Sequence, residues 1–123
     1  MAEHNETGQK GEELAAVYLK NKGYTILEMN WHFKNLEVDI IASSGEFLVI
    51  VEVKTRSSNF FGEPETFVTR KKQQNLVKAA HEYIQRYELD LEVRFDIISV
   101  IISNGKSTVN HIEGAFYPLL QRS

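Results

Sequence analysis

The chain has 123 residues, 42% of them hydrophobic and 25% charged, which suits one domain (1–123) with its own core. It contains no cysteine, which excludes a disulfide framework and a thiolate metal site and fits a reducing compartment. Net charge is −3, yet from Lys54 to Arg86 seven basic residues stand against three acidic ones, so this segment is +4 and the rest −7. The polar, acidic start "MAEHNETGQKGEE" does not read as a signal peptide, and no apolar run approaches transmembrane length. A cytoplasmic protein without a membrane partner is expected.

The first helix is expected over about Gly8 to Lys22, with Leu14, Ala15, Tyr18 and Leu19 on its apolar face and Gly23 as its stop. Three short strands follow: "YTILEMNWHF", "LEVDIIA" after a turn at Lys34-Asn35, and "FLVIVEVKT" after the turn "SSGE". Residues 57–68 carry serine, glycine and proline without periodicity and read as a loop. A second helix is expected from about Thr69 to Tyr87, with Leu76, Ala80 and Tyr83 along one side. "EVRFDIISVIIS" is a strongly apolar fourth strand, and Asn104-Gly105 signals a hairpin into the last, "STVNHIEGAFY". The order α-β-β-β-α-β-β puts a helix between strands three and four, so a mixed sheet with those two parallel is expected.

The third strand ends oddly for a buried one. Residues two apart on a strand share a face, so Glu52 and Lys54 project together, opposite Val51 and Val53. Asp39 lies inside the preceding apolar strand and shares its face with Glu37. If those strands are hairpin neighbours, Asp39 and Glu52 approach across the sheet. Converging half-buried carboxylates repel, and a hard divalent cation is the usual remedy. Lys54 beside them could position water or steady a phosphate oxygen. The competing reading is an ion pair of Glu52 with Lys54 at a strand end, with Asp39 bonded to backbone.

Helix one offers a further member. At about 100° per residue, Gly11 falls near the middle of the core face, Glu12 at its edge, and Glu13 away from it. Gly11 would let the helix approach the sheet, and Glu12 could reach inward. The alternative is a pair of first-turn carboxylates favoured by the helix dipole. Helix two opens, behind a Thr69 cap, with the cations Arg70, Lys71 and Lys72, where the dipole favours anions. That arrangement presents cations and free N–H groups to an external anion such as phosphate. Arg56 is close in sequence. Phe60-Phe61 would stack on bases or simply anchor the loop. The four histidines show no zinc spacing, and glycine-rich phosphate loops and G-x-S-x-G elbows are missing.

Taken together, "GEELAAVYLKNKGYTIL", "NW", "EVDIIA", "LVIVEVKTRSS", "FG", "VTRKKQ", "AAHEYI" and "RFDIISV" resemble the YraN family over nearly the whole chain. More distantly, the pattern is similar to archaeal Holliday-junction resolvases. The resemblance implies a restriction-endonuclease-like α/β fold and a PD-(D/E)-x-K phosphodiesterase site using Mg²⁺, with Mn²⁺ able to substitute. Carried over position by position, Asp39, Glu52 and Glu12 would hold the metal and Lys54 would complete the catalytic set. Arg56, Arg70, Lys71, Lys72 and Gln73 would contact nucleic acid, most plainly DNA, branched substrates included. A homodimer is compatible with this reading. The sequence departs from the family's usual G-E-I-D and W-R: it has Leu36-Glu37-Val38-Asp39, and His32 follows Trp31. The alternative function is a non-catalytic nucleic-acid-binding or adaptor protein that keeps the nuclease fold.

Overall fold

The computed structural model describes residues 6–57 and 67–118. Its elements are α1 (Glu6–Asn21), β1 (Thr25–Phe33), β2 (Leu36–Ser44), β3 (Phe47–Arg56), α2 (Arg70–Tyr87), β4 (Glu92–Ser103) and β5 (Lys106–Phe116). The expected order is borne out, with shifts of one or two residues at most ends. The second turn is tighter than expected. Ser43 and Ser44 remain in β2, paired with Leu48 and Phe47, which leaves only Gly45-Glu46 to turn. At the last hairpin Asn104 and Gly105 both have positive φ, 53° and 74°, as a two-residue turn between twisted strands requires.

Strands β1 to β5 lie side by side in chain order. All neighbours are antiparallel except β3 and β4, which run parallel from Phe47↔Glu92 to Arg56↔Ile101. The helix α2 supplies the crossover that a parallel pair needs. Each face of the sheet carries one helix. Ala15, Ala16 and Leu19 of α1 pack on Ile40, Ala42, Val49, Val51, Ile98 and Val100. Leu76, Ala79, Ala80 and Tyr83 of α2 pack on Val38, Ile41, Leu48, Ile50 and Phe95. Residues Leu48 to Val51 are therefore buried from both sides, which is why they form one unbroken apolar run.

Gly11 sets the seating of α1. A Cβ there would overlap the side chain of Thr55 on β3, so only glycine lets the helix start lie this close to the strand's end.

The alternation of faces is reset near the middle of β1 and β2. Glu28 and Trp31 are three residues apart on β1, yet both meet Tyr83 of α2: the tyrosine hydroxyl donates to Glu28 at 3.2 Å, and the Trp31 ring lies edge-on at 5.3 Å. Val38 and Ile41 on β2 likewise share the α2 side. A strand of period two cannot do this without a local break. On β1, Asn30, with φ +51° between Glu28 and Trp31, is that break.

Candidate metal and nucleic-acid site

The β2–β3 ladder runs from Ser44↔Phe47 to Ile40↔Val51 and ends there, with Asp39 and Glu52 one step beyond its last pair. Here the side chain takes over from the backbone. The Val53 N–H donates to Asp39 Oδ2 at 2.9 Å. Asp39 is thus bonded to backbone, as the ion-pair reading also expects, and its charge is not thereby neutralised. Burial, and then the repulsion of Glu52, push its pKa up to about 7; the Val53 N–H pulls it back, Glu12 adds to the rise, and Lys72 opposes it. Burial also raises the pKa of Glu52, against the pull of Lys72 and Lys54 and with a contribution from Glu37.

Glu12 is buried and Glu13 exposed, as the helix geometry requires. Since α1 and α2 lie on opposite faces, Asp39 feels Glu12 from one side of the sheet and Lys72 from the other. Glu12 and Glu52 thus both repel Asp39 where the β2–β3 ladder ends.

The lysines divide differently from the sequence pattern. The cation paired with Glu52 is Lys72 of α2, with Nζ 3.7 Å from Oε1. Thr69 positions it: its side chain caps the helix by accepting from the Lys72 N–H at 3.1 Å. Lys54 donates to the Phe67 carbonyl and lies 5.8 Å from the Phe67 ring centroid. Together Glu52, Lys54, Phe67, Val68, Thr69 and Lys72 line an open cleft of about 240 Å³. Gln73 donates to the Val68 carbonyl at 2.9 Å, tying the start of α2 to the segment before it. Arg70 and Lys71 are exposed on the first turn, and Arg56 is half-buried at the end of β3. Phe60-Phe61 lie outside the described residues.

Among the described residues, no group of three or more Asp, Glu or His side chains is arranged to hold a metal ion unaided. Magnesium is commonly held by one or two carboxylates, with waters and phosphate oxygens completing its shell. Asp39 and Glu52 are the two carboxylates that could hold such an ion.

A second acidic centre escaped the sequence reading. Asp96 on β4 is 1% exposed and accepts from Arg94 Nε and Nη2 at 2.9 and 2.8 Å, and from the Gly114 N–H at 3.0 Å. His111 Nε2 lies 2.7 Å from Oδ2, and Arg94 also donates to the Tyr24 hydroxyl at 2.6 Å. Burial alone would raise the Asp96 pKa, but His111, Arg94 and Gly114 together hold it below the usual carboxylate value. The signal was the alternation in "VRFD", where Arg94 and Asp96 share a face.

Comparison with known proteins places these residues in a family context. The model for "Uncharacterised protein family UPF0102" matches residues 11–100, a span that holds Glu12, Asp39, Glu52, Lys54 and Lys72. A UPF0102 protein of Christiangramia forsetii is 53% identical over 117 residues, covering 95% of this chain and 98% of the relative. One from Flavobacterium psychrophilum is 54% identical with the same coverage, and one from Phocaeicola vulgatus is 48% identical over 118 residues, covering 96% and 98%. By this evidence the chain belongs to the UPF0102 family, the group that its YraN-like motifs resemble.

Proposed function

We propose that the protein is a Mg²⁺-dependent phosphodiesterase acting on DNA, with a PD-(D/E)-x-K site of the restriction-endonuclease-like type. The observation that carries this reading is the cluster at the end of β3. Two half-buried carboxylates, Asp39 and Glu52, repel each other beside an open cleft lined by Lys54 and Lys72. A fold that needed only stability would not keep this charge imbalance at the end of its central strand. Mg²⁺ bound there supplies Lewis-acid polarisation of a phosphoryl oxygen. Asp39 and Glu52 hold the ion, and Glu12 supports them. Lys54 orients the attacking water and offsets negative charge gathering on the phosphate. The water oxygen bonds to phosphorus as the ester P–O bond to the leaving nucleotide oxygen breaks, that oxygen taking up a proton. Arg70, Lys71 and the free N–H groups of the α2 start hold the phosphate backbone.

A binding protein without cleavage is the second reading, favoured by one observation: Lys54 is engaged with Phe67 and Lys72 with Glu52. A screen of linear and branched DNA with Mg²⁺ and Mn²⁺, run beside Glu52→Ala, separates the two. Metal-dependent cutting that the variant lacks supports the nuclease. DNA binding without cutting, unchanged in the variant, supports the binder.

A further inference from the structure

Across from Asp39, on β1, stands a neutral residue. The pairs Met29↔Ile40 and Trp31↔Val38 flank Asn30 and Asp39, which sets Asn30 across from Asp39 between β1 and β2. Glu52 lies one step past the last β2–β3 pair, Ile40↔Val51, and acts on Asp39 from there.

Asn30 is unusual in two independent ways. Its φ of +51° lies within a strand, whereas the other described non-glycine residues with positive φ, Lys34, Glu88 and Asn104, lie at turns or a helix cap. Its Oδ1 is also the one buried side-chain nitrogen or oxygen among the described residues that has no hydrogen-bond partner. The left-handed backbone is accounted for by the reset of faces before Trp31. Glycine would meet that need with less strain, so the backbone does not explain the amide. What the amide adds is a buried oxygen without a donor, across from Asp39, whose own carboxylate is short of positive charge.

We propose that Asn30 is a further oxygen ligand of the cation site, directly or through one water. The proposal rests on the metal reading given above. A hard divalent cation takes about six oxygens, and a neutral amide oxygen adds to that shell without adding a third repelling charge. Asn30 is thereby a residue shared between architecture and site: its backbone turns β1 while its side chain adds to the site.

The test is Asn30→Gly, which retains the backbone freedom and removes the amide. Titration calorimetry with Mn²⁺ should give an affinity weakened roughly ten-fold, with the metal-free melting temperature held or raised. Wild-type affinity in Asn30→Gly overturns the proposal while leaving the two-carboxylate site standing. No Mn²⁺ binding by the wild type overturns both. If Asn30→Gly does not fold, Asn30→Asp decides, with Asn35→Asp on the exposed turn as the charge control. Tighter Mn²⁺ binding in Asn30→Asp alone supports the proposal, and equal affinities in the two variants overturn it.

Discussion

Asp96, buried on β4, and Asp39, half-buried on β2, are aspartates with opposite surroundings. Asp96 is met by a bidentate Arg94, by His111 and by the Gly114 N–H, and its pKa is held down. Asp39 has one backbone N–H and two neighbouring carboxylates, and its pKa is pushed up to about 7. Desolvation acts to raise the pKa of both, so it does not separate them. The partners do. A carboxylate whose partners are complete holds a fold together, and one left short of cations is poised for a ligand that brings them.

The largest expected effect tests the satisfied member. Asp96→Ala strands Arg94 and His111 without their acceptor and should lower stability by about 3–5 kcal/mol, read from urea melts. A loss below about 1 kcal/mol would remove the structural half of the contrast.

Next comes the chemistry at the unsatisfied member. Lys54→Ala should lower cleavage per folded molecule by about 100-fold while Mg²⁺ and DNA binding persist, because an ammonium carries no lone pair for a metal. Cleavage at the wild-type rate per folded molecule would show that Lys54 serves only its contact with Phe67.

The two aspartates should also separate by pH. For Asp39 the folded pKa is raised, so the folded state binds the extra proton between the ordinary carboxylate value and about 7. Its contribution to metal-free stability is full below that window and is lost as pH rises through it. For Asp96 the folded pKa is lowered, so its contribution is present above the ordinary value and lost as pH falls through the folded one. Asp39→Asn keeps an acceptor for the Val53 N–H and removes the charge. Its metal-free melting temperature at pH 8 should hold or rise by several degrees, and the decline toward neutral pH should flatten. Mn²⁺ should stabilise the wild type at pH 8 and leave Asp39→Asn unmoved. A variant that melts well below the wild type would mean that the Asp39 charge is structural after all.

The smallest effect concerns the cations at the start of α2. Lys71→Gln and Lys72→Gln should each flatten the salt dependence of DNA binding by about one phosphate contact. They should differ without DNA, because only Lys72 is paired with Glu52. Lys72→Gln should lower metal-free stability by less than about 1 kcal/mol, and Lys71→Gln should not change it. Identical melts for the two would dissolve that distinction.

The architecture was legible in the chain because its signals are local. Period-two apolar runs, Asn104-Gly105, the Gly23 stop and the Thr69 cap each act within a few residues, and the order of elements then implied a parallel β3–β4 pair. Much of the site was legible for the same reason. Glu52 and Lys54 interrupt a buried strand, and the angular position of Glu12 follows from helix geometry alone. Three matters were decided only by tertiary structure, since each depends on atoms far apart in sequence. Glu52 gains Lys72 of the crossover helix as a counter-ion, in addition to the pull of Lys54 two residues away. Asp96 found His111 and Gly114 by the pairing of β4 with β5, which turned a buried charge into a satisfied one. Asn30 in "NW" looks like any polar strand residue until the β1–β2 register sets it against Asp39 and packing leaves its oxygen without a donor. Strand patterns report which face is buried, whereas charge compensation across a sheet is set by register and by the helices laid over it.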